Sequence, residues 1–130
     1  MDESQLIEQL KAVSFPTLGH FLEEGFADSQ LRAMVPNVKL VGRALTLKLV
    51  GADAIAVNQA LALIQPGDVL VIDTDGDWQH APVGAVTSCV ARCAGAVGIV
   101  VDGAVTDLLE LSEAGLSVFV RGNSLLTTKL

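Results

Sequence analysis

Two short, unbroken apolar runs, Val69-Leu70-Val71-Ile72 and Val97-Gly98-Ile99-Val100-Val101, restrict this chain more than any other feature. A strand covered on both faces reads as a continuous apolar run, whereas a half-covered strand alternates. Each run is followed by a segment of helical length, over 82–94 and from Asp107 to Gly115, and residues 117–120 supply another strand. Strand, helix, strand, helix, strand at this spacing implies right-handed crossovers and an α/β fold with a largely parallel sheet.

The punctuation agrees. Leu45, Leu47 and Leu49 alternate with Ala44, Thr46 and Lys48 inside 38–50, the period of a half-buried strand. Asp53 is a suitable N-cap for a helix over 54–64, and Gln65-Pro66-Gly67-Asp68 is a turn in which Pro fixes φ and Gly permits reversal. Gly95 sits where a helix C-cap belongs, and Asp107 with Glu110 fits a capping box. Upstream, 4–13 predicts a short amphipathic helix, Pro16 and Gly25 bracket a second one, and 28–37 reads as a loop ending at Pro36. One domain over 1–130 accommodates all of this.

Composition excludes several classes of function. A net charge of −7 with no basic cluster argues against binding a nucleic-acid backbone. Residues 83–101 carry only Arg92 as a charge, but Thr87, Ser88, Gly95 and Gly98 interrupt them, so a buried helix and strand is expected rather than a membrane span. Cys89 and Cys93 match no zinc or redox spacing and read as reduced helix-core thiols of a cytoplasmic protein. With 51% apolar residues the chain has more than one small core needs, which favours a homo-oligomer over a monomer with a large core. P-loop, GxGxxG, HExxH and GxSxG motifs are absent, and Asp73-Thr74-Asp75-Gly76-Asp77 fails as a calcium loop because Trp78 stands at its obligatory Gly.

Ligands of parallel α/β sheets bind outside the carboxyl ends of the strands. Asp73, Asp75 and Asp77 follow one run, and Asp102, Asp107 and Glu110 follow the next. Clustered carboxylates there would suit a hard divalent ion. The plainer readings stay open: a solvated turn for the first three, helix capping for Asp107 and Glu110, a surface loop for His80, and either a loop anchor or a subunit contact for Trp78.

Four segments carry a family resemblance: Val41-Gly42-Arg43-Ala44-Leu45-Thr46, the stretch from Gln65 through Asp73, the stretch from Gly98 through Asp107, and Gly115 through Arg121-Gly122. Over 17–123 the chain resembles the RraA-like family, which includes regulator of ribonuclease activity A and the class II 4-hydroxy-4-methyl-2-oxoglutarate aldolases. The resemblance implies a three-layer β/β/α fold of the swivelling-domain type, assembled as a trimer or a pair of trimers with sites between subunits. It implies a metal-dependent lyase, using Mg²⁺ or Mn²⁺ to release pyruvate from a small 2-oxo acid by aldol cleavage or oxaloacetate decarboxylation.

Carried over by position, Asp107 matches the metal-holding Asp and Glu110 the acidic residue after it. Asp102 matches a pocket acid that orders metal-bound water, and Gly84-Ala85-Val86-Thr87 matches the substrate-cradling helix start. Two positions depart. Thr106 stands where the family's substrate-binding Arg belongs, and Ala85 where many members carry an acid. Thr offers one hydrogen bond in place of a bidentate charged clamp, a loss of about 2–5 kcal/mol in binding. Arg43, Arg92 and Arg121 are the candidates to compensate, from this or a neighbouring subunit. Family members also continue with further strands where this chain reaches Leu130. The alternative expectation is a catalytically inactive regulator that binds a protein partner such as a ribonuclease.

Overall fold

A computed structural model describes residues 1–35 and 38–129. The chain runs α1 (Glu3–Ala12), α2 (Phe15–Leu18), β1 (Arg32–Ala33), β2 (Arg43–Lys48), α3 (Ala54–Leu61), β3 (Asp68–Asp73), α4 (Ala85–Cys93), β4 (Gly98–Val105), α5 (Leu108–Glu113) and β5 (Ser117–Asn123). One five-stranded sheet forms among the described residues, in the order β1-β5-β4-β3-β2. Strands β2 to β5 are parallel, and β1 pairs antiparallel with β5. The expected α/β architecture with a largely parallel core sheet is therefore present.

The continuous apolar runs are the two central strands. Leu70, Ile72, Ile99 and Val101 are fully buried and pack with Val57 and Leu61 of α3, Ala91 of α4 and Leu111 of α5. Burying each large side chain stabilises the fold by about 1.5–3 kcal/mol. The opposite sheet face, with Val71, Val100 and Phe119, borders cavities of about 470 and 320 Å³ that Leu10 of α1, Phe15 of α2 and Leu40 also line. Thus helices α3 to α5 form one packed layer, while on the other side Leu10, Phe15 and Leu40 line open cavities against the sheet and the N-terminal helices bury no residue.

Several local expectations change. The second helix ends at Leu18, with Gly19 as C-cap, rather than running towards Gly25. The predicted loop over 28–37 contains β1, whose register sets Arg32 against Val120; Pro36 and Asn37 lie outside the described residues. Strand β4 does not stop at Val101. A register shift between Val101 and Ala104 takes up Asp102 and Gly103, and pairing with β5 resumes at Ala104 and Val105. Cys89 and Cys93 are exposed rather than core residues. On α4 the buried positions are Ser88 and Ala91, and a rotation of about 100° per residue turns 89 and 93 outward.

Candidate functional site

Two connections leave the carboxyl ends of the central strands and meet again. After β3 the chain loops through residues 74–83 to α4, and after β4 it passes through Thr106 and Asp107 into α5. A parallel bridge between Val83 and Val105 joins them, and the Thr106 amide donates to the Val83 carbonyl at 3.0 Å. Gly84 is thereby set against Thr106 and Asp107.

Asp107 is the unusual residue of this junction. Its backbone is left-handed, with φ 56° and ψ 48°, a rare conformation for a residue bearing a Cβ. The expected capping box on α5 is not formed, because the Asp107 side chain caps nothing in its own helix. Instead its Oδ2 crosses 22 residues of sequence and accepts from the Ala85 amide at 2.9 Å. A negative side chain is thus placed at the positive end of α4. Gly84 makes the approach possible: a Cβ there would lie 2.6 Å from Asp107 Oδ2 and 3.0 Å from Thr106 Cγ2.

These groups line a recess of about 170 Å³, together with Val86 and Thr87 of the first turn of α4. Its remaining wall comes from the C-terminal segment, which returns past the sheet. The Ala81 amide donates to Leu126 O and the Thr128 amide to Ala81 O, while residues 52–54 hold Lys129. Thr127 and Thr128 consequently line the recess. Sequence reasoning missed both, since their place depends on bridges spanning more than forty residues.

Of the residues singled out by sequence, Gly84, Ala85, Val86, Thr87, Thr106 and Asp107 share this recess. Asp102 does not join them. Its carboxylate is held by Arg121, which also donates to Asp28 at 3.0 Å and lies 4.6 Å from the ring centre of Trp78. Arg121 stands on β5 opposite the β4 irregularity, between the partners of Val101 and Ala104, and is not among the residues lining the recess. Hydrogen bonding to Asp102 and then to Asp28 raises its affinity for its proton, so it stays charged. Trp78 thus stacks on Arg121 while more than half of its surface stays exposed. Glu110, on the exposed first turn of α5, is not among the lining residues.

The other two candidate arginines are committed elsewhere. Arg43 forms a fork onto Asp68 at the amino end of the strands, at 2.9 and 3.0 Å, and this holds the Asp68 carboxyl below the ordinary aspartate range. Arg92 donates to the Ala114 carbonyl at 2.8 Å, beyond the far end of α4.

The acidic loop is internally satisfied. Asp73 accepts from the Asp75 amide, and Asp75 lies 3.5 Å from the Lys48 ammonium. Asp77 accepts from the amides of His80 and Gln79, which hold its carboxyl below its usual value, and from His80 Nδ1 at 2.7 Å. Among the described residues no three His, Cys, Asp or Glu side chains are grouped to hold a metal ion. The recess instead offers one carboxylate, with Oδ2 held by Ala85, among threonine side chains. That hard donor set fits a Mg²⁺-like ion that keeps most of its waters. No helix among the described residues is long and apolar enough to cross a membrane.

Comparison with known proteins adds context. The RraA-like family, described as Aldolase/RraA, matches residues 5–130. A Halalkalibacterium halodurans protein named "Putative 4-hydroxy-4-methyl-2-oxoglutarate aldolase" is 34% identical over 101 residues, which are 78% of this chain and 48% of that protein. The chain thus spans about half the length of this curated relative. Among solved structures, the RNA-processing inhibitor RraA from Thermus thermophilis superposes with a TM-score of 0.77 at 26% identity, over 89% of this chain and 71% of the other. RraAS2 of Streptomyces coelicolor, described as an unusual member of the RNase ES inhibitor RraA protein family, gives 0.85 at 25% identity, over 98% and 67%.

Proposed function

The chain belongs to the RraA-like family, and from that premise we propose that it is a divalent-metal-dependent carbon–carbon lyase releasing pyruvate from a small 2-oxo acid. The observation that carries this reading is Asp107, held in a left-handed conformation against Gly84 with one oxygen fixed by Ala85. A backbone conformation costing of order 1–3 kcal/mol persists where the surroundings enforce it, and such strain clusters at functional sites. The kinship to proteins named as aldolases supports the same reading.

In this mechanism Asp107 would hold the ion, Mg²⁺ or Mn²⁺, and Glu110, one turn further along α5, would add negative charge nearby. When bound, the ion supplies Lewis acidity that polarises the 2-oxo group. Val86 and Thr87 present first-turn amides to the substrate carboxylate, since neither has a partner among the described residues. Gly84 and Ala85 would shape the floor, and Thr106 would offer the substrate one hydrogen bond. Asp102 acts from outside the recess, by keeping Arg121 and the loop carrying Trp78 in place. Assembly into a trimer or hexamer, which the exposed Val86, Val90 and Leu109 would favour, would complete a site between subunits.

The test is pyruvate formation from oxaloacetate and 4-hydroxy-4-methyl-2-oxoglutarate, followed by coupled NADH oxidation with Mg²⁺ or Mn²⁺. Turnover abolished by chelation supports the lyase. Rates equal to those of free metal ion refute it.

A second reading has its own support. Thr106 stands where the clamp arginine is expected, and two similar structures are described as inhibitors of RNA processing or of an RNase. On this reading the chain is a catalytically silent regulator, and it would retain a purified ribonuclease in a pull-down with chelator present.

A further inference from the structure

Cys89 and Cys93 take no part in the recess, and both are free and exposed. Helix α4 runs unbroken over Ala85–Cys93, with Ser88 and Ala91 on its buried side. At about 100° per residue, positions 89 and 93 fall about 40° apart and turn away from the core. Val86 and Val90, also exposed, share that outer strip, which carries no charged side chain. A free cysteine is ordinarily among the most buried of residues, and its reactivity rather than its packing gives it a role. Two outward thiols one helical turn apart call for a chemical account.

Residues four apart on a helix hold their Cβ atoms about 5–6 Å from each other. A disulfide needs about 3.5–4.5 Å between them, so an intact α4 keeps these thiols from joining directly. One ion taken by both is a different matter. Two metal–sulfur bonds of about 2.3 Å set the sulfurs about 3.7 Å apart at a tetrahedral angle and about 4.6 Å apart in a line. Rotation about χ1 brings the two side chains to that span. Among the described residues no third His, Cys, Asp or Glu is grouped with the pair. Two thiolates alone suit a soft ion that is content with two sulfur ligands, such as Cu(I), and leave a structural zinc ion two ligands short.

We propose that Cys89 and Cys93 form a two-thiolate chelate on the outer face of α4 for a soft monovalent cation of the Cu(I) class. On binding, each thiol gives its proton to water and a sulfur–metal bond forms in place of the S–H bond. Copper stays Cu(I) throughout, so no oxidant or reductant takes part. The site shares no residue with the recess and stands independently of the lyase reading.

The experiment titrates the reduced full chain with Cu(I), kept reduced by ascorbate, against a chromophoric Cu(I) chelator. One ion per chain is expected. Cys89→Ser and Cys93→Ser are each expected to weaken binding by at least about 100-fold, because the second thiolate of a chelate acts at an effective concentration of mM or more, against ~10 µM protein. A single-thiol variant that keeps the wild-type affinity overturns the proposal, as does a copper-dependent dimer that shares one ion between two chains. Phenylarsine oxide supplies a second probe, since its arsenic takes two thiols and releases one water. A single adduct that removes both thiols from reaction with Ellman's reagent supports the chelate. Two adducts per chain show independent thiols and overturn it. Thiols inert to Ellman's reagent in the folded, untreated protein overturn it as well, because the outer face of α4 is then covered.

Discussion

Gly84→Ala is the substitution whose consequence can be worked out furthest. The backbone at Gly84, φ −139° and ψ −161°, is extended and accepts alanine, so the effect is confined to the added methyl group. That carbon would lie 2.6 Å from Asp107 Oδ2. The carboxylate must therefore retreat by roughly 0.5–1 Å to reach ordinary contact. The 2.9 Å bond from the Ala85 amide then passes beyond hydrogen-bonding range. Losing a charged hydrogen bond at an exposed residue costs about 1–2 kcal/mol, below the upper end for such bonds. In a domain of this size the melting temperature falls by about 4–7 °C. Activity suffers more, because a 1 Å misplacement of a reacting group costs about 100-fold in rate. Gly122→Ala is the matched control, since a Cβ there meets nothing within 4 Å. Calorimetry and coupled pyruvate release on the two variants read both effects. A Gly84→Ala protein with wild-type turnover and stability would refute the claim that Asp107 must hold this position.

Other substitutions follow the same logic. Asp68 has a carboxyl held low by Arg43, so its contribution to stability is complete above about pH 3.9, shrinks as the pH falls below that, and is gone below the folded-state value. Asp68→Asn should lower the melting temperature at pH 7 and flatten the acid limb of a stability-versus-pH curve. An unchanged acid limb would mean the pair contributes nothing. Ser88 is fully buried with an Oγ lacking a partner among the described residues, so Ser88→Ala should stabilise by about 1 kcal/mol, read as a rise in melting temperature. A fall would reveal a partner for that hydroxyl. Trp78 is the single tryptophan and stacks on Arg121, so Arg121→Met should change its fluorescence, and an unaltered spectrum would argue against the stack.

The parallel core was legible because burial on both faces leaves a local signature. Val69 to Ile72 and Val97 to Val101 could hardly be anything but central strands. The same local reading truncated β4 at Asp102-Gly103, a pair that looks like a turn. There Thr74, 28 residues away, donates to the Asp102 carbonyl at 2.8 Å, and the β4–β5 register shifts across the pair. Asp107 and Glu110 spelled a capping box, yet the tertiary bond to Ala85 outweighed the local one. The stretch from Gly84 to Thr87, singled out by resemblance alone, lines one recess with Thr106 and Asp107. Asp28 on Arg121, 93 residues apart, and the wall of Thr127 and Thr128 left no local signal, because each arises only when distant segments pack together.

The most direct test of the central claim is metal-dependent pyruvate release by wild type and Asp107→Asn, assayed side by side with Mg²⁺ and with chelator. The exchange keeps the shape of the side chain and removes its charge. The account predicts turnover in wild type that chelation abolishes, and a loss of at least about 100-fold in a variant that remains folded. Equal turnover in the two proteins would contradict it and move the chemistry away from Asp107.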